Sequence, residues 1–121
     1  MKRILFIEDE KAIQKTMGEF LKKKGYNVIS AFDGETGLKM VKVKKPDLVL
    51  LDLVLPKLHG FDLLEKIKAD PETEKIPVII LTNLEGTEEV TKALELGATT
   101  YLVKSSYRLQ DVLSKIKQVL K

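Results

Sequence analysis

Short apolar runs alternate along the chain with longer stretches in which apolar residues recur at helical spacing, and the alternation repeats five times. The runs predict strands over Arg3–Ile7, Asn27–Ala31, Leu48–Leu51, Val78–Leu81 and Thr100–Val103. Between them lie amphipathic stripes: Ile13, Met17, Phe20 and Leu21; Val90, Ala93 and Leu94; and Val112, Leu113, Ile116, Val119 and Leu120. Gly25 and Gly97 follow helical segments, where a left-handed C-cap favours glycine. Asp33-Gly34 and Asp70-Pro71 mark turns and helix boundaries. Thr87 before Glu88-Glu89 predicts an N-cap with acid in the first turn. Strict β-α alternation implies an α/β domain with a parallel sheet, right-handed crossovers and helices on both faces. The longest irregular stretch, Leu53–Gly60, directly follows Asp52.

The strand ends carry the chemistry. Glu8 and Asp9 terminate the run Ile4–Ile7, and Asp52 terminates Leu48–Leu51. Short apolar runs ended by acid read as buried parallel strands, and open α/β sheets bind ligands outside the carboxyl ends of their strands. Three carboxylates converging there repel one another unless a cation joins them, so the pattern points to a metal-dependent acidic pocket. Asp52 is a nucleophile toward a phosphoryl group, a metal ligand only, or a strand-end residue capping the next turn. Glu8 and Asp9 offer hard oxygens suited to Mg²⁺, and one of them is also a candidate cap for a helix beginning near Glu10. Thr82 ends the fourth run with a hydroxyl, and Lys104 ends the fifth with an ammonium. Together they supply what phosphoryl transfer needs: a nucleophile, a metal site and electrostatic clamps. His59, the only histidine, reads as a surface loop residue. Walker, GxGxxG, HExxH and Ser-His-Asp patterns are absent.

The 121 residues fit a single domain spanning 1–121, and 44% apolar content is enough for a packed core. No apolar run is long enough for a membrane span, and the N-terminus lacks the cleavage site of a signal peptide. Cysteine is absent, which excludes disulfides and thiolate chemistry. A cytoplasmic protein is expected. The net charge is +3, but the lysines scatter to helix ends and solvent faces, so no nucleic-acid footprint is read from it.

The motifs in register resemble those of the response regulator receiver domains of two-component signalling, in particular the single-domain chemotaxis type. They are Ile4-Leu5-Phe6-Ile7-Glu8-Asp9-Glu10, Pro46-Asp47-Leu48-Val49-Leu50-Leu51-Asp52, Leu53-Val54-Leu55-Pro56 with Gly60, Pro77-Val78-Ile79-Ile80-Leu81-Thr82, and Gly97-Ala98 through Tyr101-Leu102-Val103-Lys104. The resemblance covers essentially the whole chain. It implies a flavodoxin-like, doubly wound (βα)5 sandwich with strand order 2-1-3-4-5. It implies that Asp52 accepts a phosphoryl group from a sensor histidine kinase or phosphotransfer protein. Asp9, Asp52 and the Val54 carbonyl would hold Mg²⁺, with Glu8 assisting directly or through water. Lys104 would pair with the phosphoryl group, Thr82 would shift to bond it, and Tyr101 would turn inward as the switch aromatic. That would alter the face made by the fourth helix, fifth strand and fifth helix. Tyr101 as a static core aromatic is the other reading. Self-phosphorylation and autodephosphorylation are expected, with no separate substrate turnover. The alternative function is a pseudo-receiver, an interaction module that is never phosphorylated.

Output is expected through a downstream protein rather than direct nucleic acid or membrane binding, from a monomer or a weak phosphorylation-dependent dimer. Three positions depart from the family. Ser105 stands where proline is usual; a cis bond to serine would cost about 3–4 kcal/mol, so the usual cis bond is lost and the set of the last helix is left open. Asn83 replaces a small residue beside Thr82, which leaves the phosphoryl lifetime open. Thr99-Thr100 stand where DNA-binding relatives often carry acids of a charged dimer face.

Overall fold

The computed structural model describes residues 1–121. Five strands, β1 (Arg3–Ile7), β2 (Asn27–Ala31), β3 (Leu48–Leu51), β4 (Val78–Thr82) and β5 (Thr100–Val103), form one sheet in the order β2-β1-β3-β4-β5. All four pairings are parallel. Helices α1 (Lys11–Lys23), α2 (Gly34–Lys44), α3 (Gly60–Ala69), α4 (Thr87–Glu95) and α5 (Leu109–Val119) connect or follow them. This is the flavodoxin-like arrangement. β4 runs one residue beyond its apolar run, so Thr82 belongs to the strand and pairs with Val103.

Period-2 alternation sorts the sheet into two cores. Ile4, Phe6, Leu48, Leu50, Ile79 and Leu81 face α1 and α5, meeting Met17, Leu21, Val112, Leu113 and Ile116. Leu5, Ile7, Val49, Leu51 and Ile80 face the other side, meeting Val41, Leu63, Leu64, Ile67 and Ala93 from α2, α3 and α4. Both faces are buried, which is why β3 reads as an unbroken apolar run.

Gly25 and Gly97 have φ of +98° and +108°, as a helix C-terminus demands. Asp33 is the N-cap of α2, and α3 ends at Ala69 with Asp70 as its C-cap. Thr87 is not an N-cap: Gly86 takes that place without a side-chain bond, and Thr87 is the first helical residue. The stripe on α4 is also thinner than its sequence predicts. Only Ala93 is buried, and Leu94 is 48% exposed. Every peptide bond is trans, and a 3-10 turn at Lys104–Ser106 carries the chain into α5.

Candidate functional site

The registers bring the strand ends level. Ile7 lies beside Leu51, Leu51 beside Ile80 and Thr82 beside Val103, so Glu8, Asp52, Thr82 and Lys104 emerge along one edge of the sheet. Asp52 continues the ladder, its N–H donating to the Ile7 carbonyl at 3.0 Å. The chain after Asp52 turns back tightly because Gly60 lies against it. A β-carbon on Gly60 would come within 2.5 Å of the Leu53 α-carbon.

Lys104 Nζ sits between two acids, 2.9 Å from Asp52 Oδ2 and 2.5 Å from Glu8 Oε1. All three side chains are nearly or fully buried, with 11%, 7% and 0% exposure for Lys104, Asp52 and Glu8. Asp52 Oδ1 accepts from the Val54 N–H at 3.2 Å, and Glu8 Oε2 accepts from the Glu10 N–H at 3.0 Å. Burial pushes the Glu8 carboxyl up; the Lys104 ammonium and the Glu10 N–H pull it back only in part. Burial pulls Lys104 down, but its bonds to Glu8 and Asp52 outweigh this and leave it above the ordinary lysine value. Thr82 is fully buried, its Oγ1 accepting a long 3.5 Å contact from the Leu84 N–H. The Tyr101 hydroxyl donates to the Leu84 carbonyl at 2.7 Å. Tyr101 is therefore outside the acidic pocket and joined to Thr82 through one residue of the β4–α4 loop.

A cavity of about 320 Å³ opens over these groups, lined by Asp9, Glu10, Asp52, Val54, Thr82, Asn83 and Lys104. Glu8 does not line it; it lies underneath, clasping Lys104 and bonding the turn into α1. Glu10, which the sequence reading passed over, forms part of the wall. Oxygens of Glu8, Asp9 and Asp52 all lie within 4.8 Å of one another. Three carboxylates against one ammonium leave an excess of negative charge in a small all-oxygen site. Glu8 Oε1 is taken up by Lys104, which leaves Asp9 and Asp52 as the acids that face the cavity. Both features fit a hard divalent cation, and neither fits a soft one. His59 caps α3, its Nδ1 accepting from the Phe61 N–H at 3.0 Å, and does not line the cavity.

The family model described as the response regulator receiver domain matches residues 4–117. The chain belongs to that family. Among curated relatives of this receiver domain, the DNA-binding dual master transcriptional regulator RpaA of Synechocystis is 35% identical over 121 residues, covering 100% of this chain and 50% of that protein. The chain spans about half the length of the first curated relatives it matches. The BeF3-activated N-terminal receiver domain of Klebsiella pneumoniae RstA superposes with a TM-score of 0.92 at 27% identity, over 99% of both chains. A CheY-like receiver domain protein from Methanospirillum hungatei gives 0.91 at 33% identity, over 99% of this chain and 94% of that one.

Proposed function

We propose that residues 1–121 act as one phosphorylation-activated receiver unit, working in the cytoplasm, with Asp52 as phosphoacceptor. The observation that carries this is the Asp52 carboxylate held by Lys104 and the Val54 N–H at the floor of an acidic cavity. A carboxylate oxygen of Asp52 attacks phosphorus, the bond from phosphorus to a donor histidine nitrogen breaks, and the imidazole leaves with that electron pair. The product is an acyl phosphate. Lys104 neutralises one phosphoryl oxygen. Thr82, released from its long contact with Leu84, donates its hydroxyl to another. Asp9, Asp52 and the Val54 carbonyl would hold Mg²⁺, with Glu8 beneath them. That ion supplies charge neutralisation for the phosphoryl oxygens.

The switch runs through Leu84. Thr82 and Tyr101 both bond its backbone, so a Thr82 hydroxyl drawn to a phosphoryl group changes the loop that Tyr101 holds. The surface of α4, β5 and α5 then differs between the two states, which is what an output partner reads. Donor and output partner are a sensor histidine kinase and a protein or domain that binds this surface. The Synechocystis relative is named for DNA binding, and this chain covers 50% of that longer protein.

Intact-mass measurement after incubation with acetyl phosphate tests the proposal. One phosphoryl group should be gained with Mg²⁺ and not without it, and Asp52→Asn should gain none. No uptake by the wild type, together with no binding of a beryllium fluoride complex, would leave the pseudo-receiver reading in its place.

A further inference from the structure

Carbonyl oxygens at the ends of β1 and β2 converge on one side chain of α1. Gln14 is 4% exposed, and its Nε2 donates to the carbonyls of Phe6 at 2.8 Å, Glu8 at 3.1 Å and Ala31 at 3.0 Å. Ala31 O also accepts from the Glu8 N–H at 3.0 Å, so the amide is tied to the last rung between the two strands. An amide nitrogen has two hydrogens, so three acceptors share two protons and the nitrogen is held from three directions. Gln14 Oε1 is buried and has no partner within the protein. Burying an unpaired acceptor costs folding free energy. A side chain that only filled this volume would do better as an apolar residue, so the polarity serves the three carbonyls.

Those carbonyls fix the backbone that presents the acids. The Glu8 carbonyl belongs to the peptide joining Glu8 to Asp9. On one side of that peptide the Glu8 carboxylate clasps Lys104, and on the other Asp9 enters the cavity wall. We infer that Gln14 is a positioning residue for the acidic site: by holding the carbonyls of Phe6, Glu8 and Ala31 it sets the Glu8–Asp9 peptide, and with it the approach of Asp9 to Asp52. This rests on the proposed Mg²⁺-dependent chemistry. No atom of Gln14 lines that cavity, so its effect passes through the backbone.

Gln14→Met keeps the length and removes the donors. Ile116→Val, in the core between α5 and the sheet, is a control that loosens packing far from the acids. Mg²⁺ affinity is measured by titration calorimetry on each unphosphorylated protein, at a temperature where circular dichroism shows it folded. The Mg²⁺ dependence of phosphorylation by acetyl phosphate is followed by intact mass. Gln14→Met should raise the Mg²⁺ dissociation constant and the half-saturating Mg²⁺ concentration roughly tenfold, while the rate at saturating Mg²⁺ stays within about twofold. Ile116→Val should lower the thermal midpoint only. If Gln14→Met does not fold, Gln14→Asn, which keeps the amide but shortens its reach, gives the same comparison. A folded variant that binds Mg²⁺ as the wild type does would overturn the inference while leaving the proposed function standing. A wild type that binds no Mg²⁺ and takes up no phosphoryl group would overturn both.

Discussion

Asp9 makes no ion pair or hydrogen bond with the protein, yet it faces two other carboxylates. Asp9→Asn removes a like charge, so the Mg²⁺-free protein should gain up to about 1 kcal/mol in urea unfolding. The same variant should be stabilised less than the wild type by added Mg²⁺. Lys104→Met does the reverse, leaving Glu8 fully buried without its cation. Glu8 already sits above its ordinary value of 4.5, and losing Lys104 removes a cause that lowers it. A carboxyl raised in the folded state favours folding less as pH rises above its unfolded value. The deficit of Lys104→Met should therefore be small near pH 4 and approach roughly 3 kcal/mol by neutral pH. A deficit independent of pH would rule this out. At this scale the sequence was legible where strands end in polar side chains, as at Asp52, Thr82 and Lys104, which line one cavity. It was not legible where a turn decides orientation. The adjacent acids Glu8 and Asp9 divide into one beneath the cavity and one in its wall, and Gln14 looks in sequence like an ordinary solvent-facing position on a lysine-rich helix.

At the scale of elements, the caps and close approaches decide how loops meet strands. Asp33 caps α2 through the Thr36 N–H at 2.7 Å and accepts the Thr36 hydroxyl at 2.9 Å. The Thr36 N–H bond holds its carboxyl below the ordinary 3.8. That contribution is complete above 3.8 and disappears as pH falls through the lower folded value. Asp33→Ala should cost about 1 kcal/mol near neutral pH, and the difference from wild type should shrink below pH 3.8 in guanidinium titrations. Gly60→Ala drives a methyl into the Leu53 backbone at the start of α3. It should cost about 1–3 kcal/mol and weaken phosphoryl uptake, because the loop it displaces begins at Asp52. Asp33-Gly34 marked a helix boundary in sequence, and the structure makes Asp33 the cap. Thr87 announced one that Gly86 supplies instead, because a helix can start on backbone geometry alone with water satisfying its first N–H groups. The apolar stripe on α4 overstated its burial because periodicity reports which residues share a face and not how closely that face approaches the sheet.

The whole molecule is a sheet with two separate cores, α1 and α5 on one side and α2, α3 and α4 on the other. Alternation along each strand made this division legible, together with the parallel order. The site's parts were legible one strand end at a time, while their assembly depends on the strand order, because they come from all over the chain. Asp9 follows β1, Asp52 follows β3, Thr82 ends β4 and Lys104 follows β5.

That order has a consequence in time. No two neighbouring strands are joined by a hairpin: Arg3 must find Asn27, Ile4 must find Leu48, and Ile79 must find Thr100. Pairings so remote in sequence close slowly, so folding on the scale of milliseconds or longer is expected in stopped-flow refolding. No fragment ending before β5 carries Lys104, and none beginning at α1 carries Asp9. Phosphoryl uptake during refolding, which in the proposed function uses Lys104, should therefore lag behind helix formation and report the arrival of the last strand.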